Sequence, residues 1–489
     1  MRLERRDGAA LLGVVGAHLA LALLWLARDE GLPDGDVLGV LGAVELFWGQ
    51  THAEGAGAAL LAAWREDFGE YPALHYAVTG ILAAWSGVTD LDGDGVPRVG
   101  LLWGALALLA TGWMARARGG AAWFGAALLA VSPLWAATQR TLLVENAATA
   151  LVACAAAGWA TGGVGWIVGG LFGAAALLTK QTAALALLPA LVVLGHKEWR
   201  GALGSAALMG LIAGPWYLRR LGSEGDYLLA AAGANPDAAG PLAWLALYPL
   251  ALVQQAWTPL VAVGAVFLLW RRPRGERALL VAAALGVVLL LLIPKKYPRL
   301  LLPLLPLLAA GVAAETARWE LRWRASLVAL GAIGLLLGST LRSPPPLFAP
   351  SALGLSDLDE RCTQRWIEPP SRPGLPWEAL LTELDGATSV GAVRWPTPPC
   401  AYQTTLHLGE HLRIRARRAD LELEVREAFV DTDGWERPPD RLITDGPLPC
   451  GEPPEAAGAG DPCAVDWIEQ ARLPLHHPDW DLDLRVWRR

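Results

Sequence analysis

The chain has 489 residues, 54% of them apolar or aromatic and only 18% charged, with a formal net charge of −7. Soluble domains carry about 25% charged residues, so too little charge is present to coat the several domains a soluble chain of this length would form, and the apolar content excludes disorder. The charge is also divided unevenly: residues 343–489 hold 15 basic and 25 acidic side chains, residues 1–342 hold 25 and 22. No basic tract is dense enough for a nucleic-acid partner. The composition reads as a membrane domain over 1–342 followed by an acidic extramembrane domain over 343–489.

A spanning helix needs about 20 mostly apolar residues, because the bilayer offers no water to exposed backbone groups. On that basis about eleven spans are expected, at 9–27, 96–115, 121–138, 146–161, 163–179, 182–195, 201–217, 252–270, 277–293, 299–314 and 325–342. The apolar stretch 73–87 lies between acidic flanks and is too short, so it reads as an interfacial or re-entrant helix. Basic residues mark the cytoplasmic side. Arg2, Arg5 and Arg6, then Arg116 and Arg118, Lys197 and Arg200, the Arg271–Arg277 cluster and Arg318–Arg324 fall in alternate loops. The N-terminus is therefore expected inside and the tail outside. The first span follows a basic segment as a signal peptide does, but its long apolar run and the later spans favour an uncleaved anchor.

Cys154 lies in an apolar span, whereas Cys362, Cys400, Cys450 and Cys463 lie in the tail. Four cysteines in an oxidising compartment are expected to pair as disulfides, with the connectivity open. In the tail, prolines 344–346 end the last helix. Beyond them, 377–384 reads as a short helix, and 412–417, 421–430 and 481–487 alternate as half-buried strands do. A small α+β domain without a nucleophile and base follows.

Polar residues gather on the outer face. The first outer loop holds Asp29, Glu30, Asp34 and Asp36, then Arg65, Glu66, Asp67 and Glu70, running into Tyr71-Pro72-Ala73-Leu74-His75-Tyr76. The second holds Gln139, Arg140, Glu145 and Asn146. The whole chain has four lysines, and three of them, Lys180, Lys295 and Lys296, stand at outer span ends with Arg299 close behind. Acids at span ends commonly face water and basic side chains commonly snorkel. A set of acids and cations collected on one face instead suits charged chemistry at the membrane surface.

In order, the chain presents an acid pair after the first span, YPALHY, SPLWAATQR followed by Glu145, LLTK, GPWYLRR and KKYPRLLLPLLP. Over residues 9–320 this order resembles the polyprenyl-phosphate-sugar-dependent glycosyltransferases of the GT-C fold, among them the family 39 protein O-mannosyltransferases and the aminoarabinose transferases that decorate lipid A. The family's usual HPPL-type box reads YPAL here. The resemblance implies an all-α polytopic membrane protein of the bacterial inner membrane with a small extracytoplasmic α+β domain. It implies a polyprenyl-phosphate-linked sugar as donor, and an acceptor glycan, lipid or protein offering a hydroxyl or amine. By family position, Asp36 or Asp34 and Glu145 match the outer-loop acids, one of which acts as general base. Lys180, Arg140, Lys295, Lys296 and Arg299 match the cations on the lipid phosphate, and Glu70, Tyr71 and His75 match the substrate-facing box. The residues contain no tight metal-ligand motif, and the cofactor requirement stays open, a divalent metal included. The rival reading is a transporter or flippase of a lipid-linked or anionic solute, which usually shows repeated halves with charge near the midplane; no such repeat is seen.

Overall fold

The computed structural model describes residues 5–27, 35–65, 72–88, 95–140, 142–220, 248–249, 251–252, 277–293, 298–340, 377–394, 424–429, 441–445, 468–477 and 480–488. Two compact units result: Met1–Ala27 with Ala43–Pro369, and Arg28–Gly42 with Pro370–Arg489.

The first unit is helical. Its helices are α1 (Arg5–Leu26), α2 (Gly35–Glu54, the part from Ala43 onward), α3 (Ala56–Arg65), α4 (Leu74–Trp85), α5 (Gly95–Ala117), α6 (Ala122–Ala130), α7 (Pro133–Gln139), α8 (Val144–Thr161), α9 (Gly165–Leu177), α10 (Ala184–Gly195), α11 (Trp199–Arg219), α12 (Ala278–Leu292), α13 (Leu305–Glu315) and α14 (Leu321–Thr340). Many large apolar side chains point outward, with Val192, Leu211 and Leu292 more than two-thirds exposed. The interior combines large side chains such as Trp135, Trp159, Phe124 and Leu108 with many alanines; Ala147, Ala148, Ala150, Ala153, Ala155 and Ala156 of α8 are wholly buried. Helices in lipid pack this way, because lipid tails are as apolar as leucine and close backbone approach supplies the attraction. The α8–α9 hairpin shows it: a β-carbon on Gly158 would lie 2.7 Å from the Gly165 carbonyl, and the turn runs through Gly162 and Gly163 at φ 69° and 55°. Trp199 and Trp323, both more than half exposed, stack under Arg200 and Arg322 at helix ends, as interfacial anchors do.

The expected spans and the helices agree in place but differ in detail. Among the described residues three helices are long and apolar enough to cross a bilayer, or up to four if α7 and α8 form one bent span. Several others are short: α9 has 13 residues and α10 has 12, so at 1.5 Å per residue each reaches roughly 20 Å of a core about 30 Å thick. The expected span 252–270 lies outside the described residues, apart from residue 252. The stretch 121–138 is not one helix. Pro133 has no N–H to continue α6, and Ser132 accepts from Trp135 N (3.3 Å) to cap a new helix there. Asp7 of α1 accepts from the first amides of α6, Ala122 (3.1 Å) and Trp123 (3.4 Å), supplying the cap that Ala121 lacks. The segment 73–87 is the short helix α4. Helices α2 and α3, in what reads from sequence as a loop, were not expected. Gly80 lets α4 lie directly on α2, where a β-carbon would meet Val44 O and Trp48 N at 2.8 Å.

The second unit contains α15 (Trp377–Glu383) and a five-stranded sheet of β1 (Ser389–Arg394), β2 (Glu424–Phe429), β3 (Arg441–Asp445), β4 (Ile468–His477) and β5 (Trp480–Arg488), ordered β2-β1-β3-β5-β4. β1 is parallel to β2 and β3, and β5 is antiparallel to β3 and β4. Val390, Ile443 and Val486 are buried on the sheet, with Leu380 and Leu384 from the helix segment. The helix and two of the expected strands appear; 412–417 lies outside the described residues. So do Cys362, Cys400, Cys450 and Cys463, and the expected disulfides have no support among the described residues, where Cys154 is free and buried.

Candidate functional site

The first unit places three ionisable groups, far apart in sequence, within contact of one another. Glu145 stands in the first turn of α8, where a carboxylate is favoured by the helix dipole, and is almost fully buried. Its Oε1 accepts from Lys180 Nζ at 2.7 Å and faces Arg299 Nε at 3.2 Å. The lysine side chain is 6% exposed and the arginine 16%, so both ion pairs sit largely out of water.

Each cation is delivered by a break in regular helix. Lys180 follows the last turn of α9 in an extended conformation, before a 3₁₀ turn at Gln181–Ala183 leads into α10. The carbonyls left open at the end of α9 are taken up locally: Tyr217 Oη donates to Leu177 O (2.8 Å) and Leu74 N to Leu178 O (3.3 Å). Tyr217 belongs to GPWYLRR, whose Arg219 also donates to Trp64 O (2.8 Å), so that motif fastens α3 and the end of α9, just before Lys180. Arg299 stands in the 3₁₀ segment Pro298–Leu304, where prolines at 298 and 303 withhold amides from an α-helical ladder.

His75, in the first turn of α4, is 1% exposed. Thr79 Oγ1 lies 3.4 Å from its Nδ1, its ring is 6.1 Å from that of Trp103, and its Nε2 has no hydrogen-bond partner among the described residues. Burial pushes the imidazole down to about 4, while the charge of Glu145 pulls the other way. The ring is neutral at physiological pH. Arg140 lies over the ring of Trp25, 4.8 Å from its centroid. The next described turn is tied down by Asn146 Nδ2, which donates to Thr138 O at 2.7 Å.

Glu145, Lys180 and Arg299 are thus brought together, and His75 is close enough to feel Glu145. Asp36 stands in the first turn of α2; Asp34, Glu70, Tyr71, Lys295 and Lys296 lie outside the described residues. Sequence reasoning missed the positioning contacts of Tyr217 and Asn146, which follow from tertiary packing, and a buried histidine in α1, His18, which a polar residue inside an apolar span should have flagged. Among the described residues no group of three or more His, Cys, Asp or Glu side chains could hold a metal ion.

No family model and no curated protein matches the chain. Solved structures do. The crystal structure of ArnT from Cupriavidus metallidurans bound to undecaprenyl phosphate matches with a TM-score of 0.55 at 15% identity, covering 97% of this chain and 98% of that one. The apo state of the same protein matches with a TM-score of 0.51 at 15% identity. The likeness runs nearly the whole length of both chains and shows the fold: a helical architecture of the ArnT kind.

Proposed function

We propose that this protein is an integral-membrane glycosyltransferase that moves a sugar from a polyprenyl-phosphate donor to an acceptor hydroxyl or amine at the outer face of the bacterial inner membrane. The observation that supports it is the buried triad of Glu145, Lys180 and Arg299 in a fold of the ArnT type. Transfer from a lipid phosphate leaves growing negative charge on the departing phosphate, which fixed cations in a water-poor site stabilise without reorganisation. Glu145 holds both cations in register for that task. A carboxylate placed between two cations is a weak proton acceptor, so the base that removes the acceptor proton is Asp36 or Asp34 of the first outer loop. Arg140, Lys295 and Lys296 complete the positive surroundings of the lipid phosphate, and Glu70, Tyr71 and His75 face the sugar or acceptor. The N-terminus is cytoplasmic, and the 343–489 domain is extracytoplasmic and contacts the acceptor.

The test compares surface glycans and glycolipids by mass spectrometry in a parent strain, a deletion strain, and the deletion complemented with wild type or Lys180→Ala. A sugar decoration lost on deletion, restored by wild type and not by Lys180→Ala supports the reading. An unchanged profile in the deletion strain would refute it.

A further inference from the structure

We infer that His18, deep in the first membrane helix, is a positioning residue for the cation site, acting through Gln139 on the turn that presents Glu145. His18 is 7% exposed and Gln139 is 1% exposed. Their side chains meet at 2.7 Å, Nε2 to Oε1, across 121 residues of sequence. One ring from α1 therefore holds Gln139, the last residue of α7.

The surroundings are shaped for this contact. Gly104 of α5 lies against the Gln139 carboxamide, and a β-carbon there would collide with it. Among the described residues, the Gln139 amide nitrogen has no hydrogen-bond partner, so the contact of its oxygen with His18 is what anchors the carboxamide. An apolar replacement of His18 would thus leave a buried carboxamide unpaired, which drives it to move. Movement of Gln139 carries its neighbour Thr138, whose carbonyl accepts from Asn146 at 2.7 Å. Asn146 adjoins Glu145, which orients Lys180 and Arg299. The chain of contacts is physically continuous, and each link is buried.

A bland alternative is that His18 only stabilises packing between α1 and the α6–α7 segment. The two roles differ in their readouts. The ligand arm of the test rests on the proposed function; the exchange arm does not. Full-length protein in nanodiscs would carry His18→Leu, His18→Gln (which keeps a donor toward Gln139) or Gly104→Ala. Hydrogen exchange over 139–147 reports the turn itself. His18→Leu and Gly104→Ala should speed exchange there, and His18→Gln should restore it.

With undecaprenyl phosphate as probe, His18→Leu should weaken binding roughly 2- to 30-fold, the range for mutations along a coupling network. It should have little effect in a Lys180→Ala background, because the site it positions is already lost. Unchanged exchange over 139–147 in His18→Leu would overturn the proposal, as would an equal loss of binding in both backgrounds. If exchange responds but wild type binds the probe no better than Lys180→Ala, the positioning role stands and the lipid-phosphate reading falls.

Discussion

Replacing Glu145 by glutamine keeps the shape of the side chain and removes the charge between Lys180 and Arg299. The two contacts are 2.7 and 3.2 Å long, and the carboxylate side chain is only 4% exposed. At an effective dielectric of about 20, unit charges about 4 Å apart interact by about 4 kcal/mol. Deleting one partner of a buried pair costs roughly 3–5 kcal/mol, because the remaining charge stays buried. Glu145→Gln should therefore lower the thermal midpoint of the detergent-solubilised protein by several degrees, and adding Lys180→Met should recover part of the loss. The anionic ligand should then replace the missing charge. A saturating lipid phosphate at about 100 times its dissociation constant stabilises by about 2.7 kcal/mol, and its effect should be larger in Glu145→Gln than in wild type. Scanning fluorimetry with and without undecaprenyl phosphate reads both quantities. A Glu145→Gln protein that unfolds at the wild-type temperature, gains nothing extra from the ligand and has lost only turnover would refute this, and would make Glu145 the base.

Asp36→Asn and Asp34→Asn should between them identify the base: one should lose about 10²–10⁴ in transfer rate while keeping its affinity for undecaprenyl phosphate, and near-normal turnover in both would remove the base from this loop. The pH dependence of stability has a definite sign at His75. Its folded value of about 4 lies below the usual 6.5 of an unfolded chain, so the unfolded state binds more protons between those values, and stability is full above about 6.5 and falls as pH drops toward 4. His75→Gln should flatten that acid slope in thermal scans at pH 7 and pH 5; equal slopes would show that the histidine does not titrate there. A periplasm-active reporter fused after Pro350 should be active, and activity of a cytoplasm-only reporter at the same position would mean the span count is off by one.

Much of the helical unit was legible because lipid selects on composition: α1, α5, α8, α11 and α14 all appear close to their expected limits. The break at Ser132–Pro133 carried its own signal, a proline preceded by a capping serine, but apolar continuity across 121–138 masked it. Helices α2 and α3 were hidden for the opposite reason, since acidic neighbours and glycines such as Gly55 made that region read as a loop. In the second unit, β5 showed by strict alternation, whereas Pro474 and His476-His477 disguised β4. Lys180, Glu145 and Arg299 were picked out by type, order and sidedness. Their pairing was not readable, because it joins α8, the end of α9 and a 3₁₀ segment through packing alone. His18 shows the limit best: a polar residue inside an apolar span is a visible signal, but its partner Gln139, 121 residues away, is found only in the fold.

Titration of undecaprenyl phosphate into nanodisc-reconstituted protein, with wild type compared with Lys180→Ala and Arg299→Ala, tests the central claim most directly. The expected result is saturable binding in wild type, weakened at least tenfold by either substitution, since a charge-assisted hydrogen bond from a largely buried cation contributes about 1.5–3 kcal/mol. Equal binding by all three proteins would contradict it, because the buried cations would then have no part in holding a lipid phosphate.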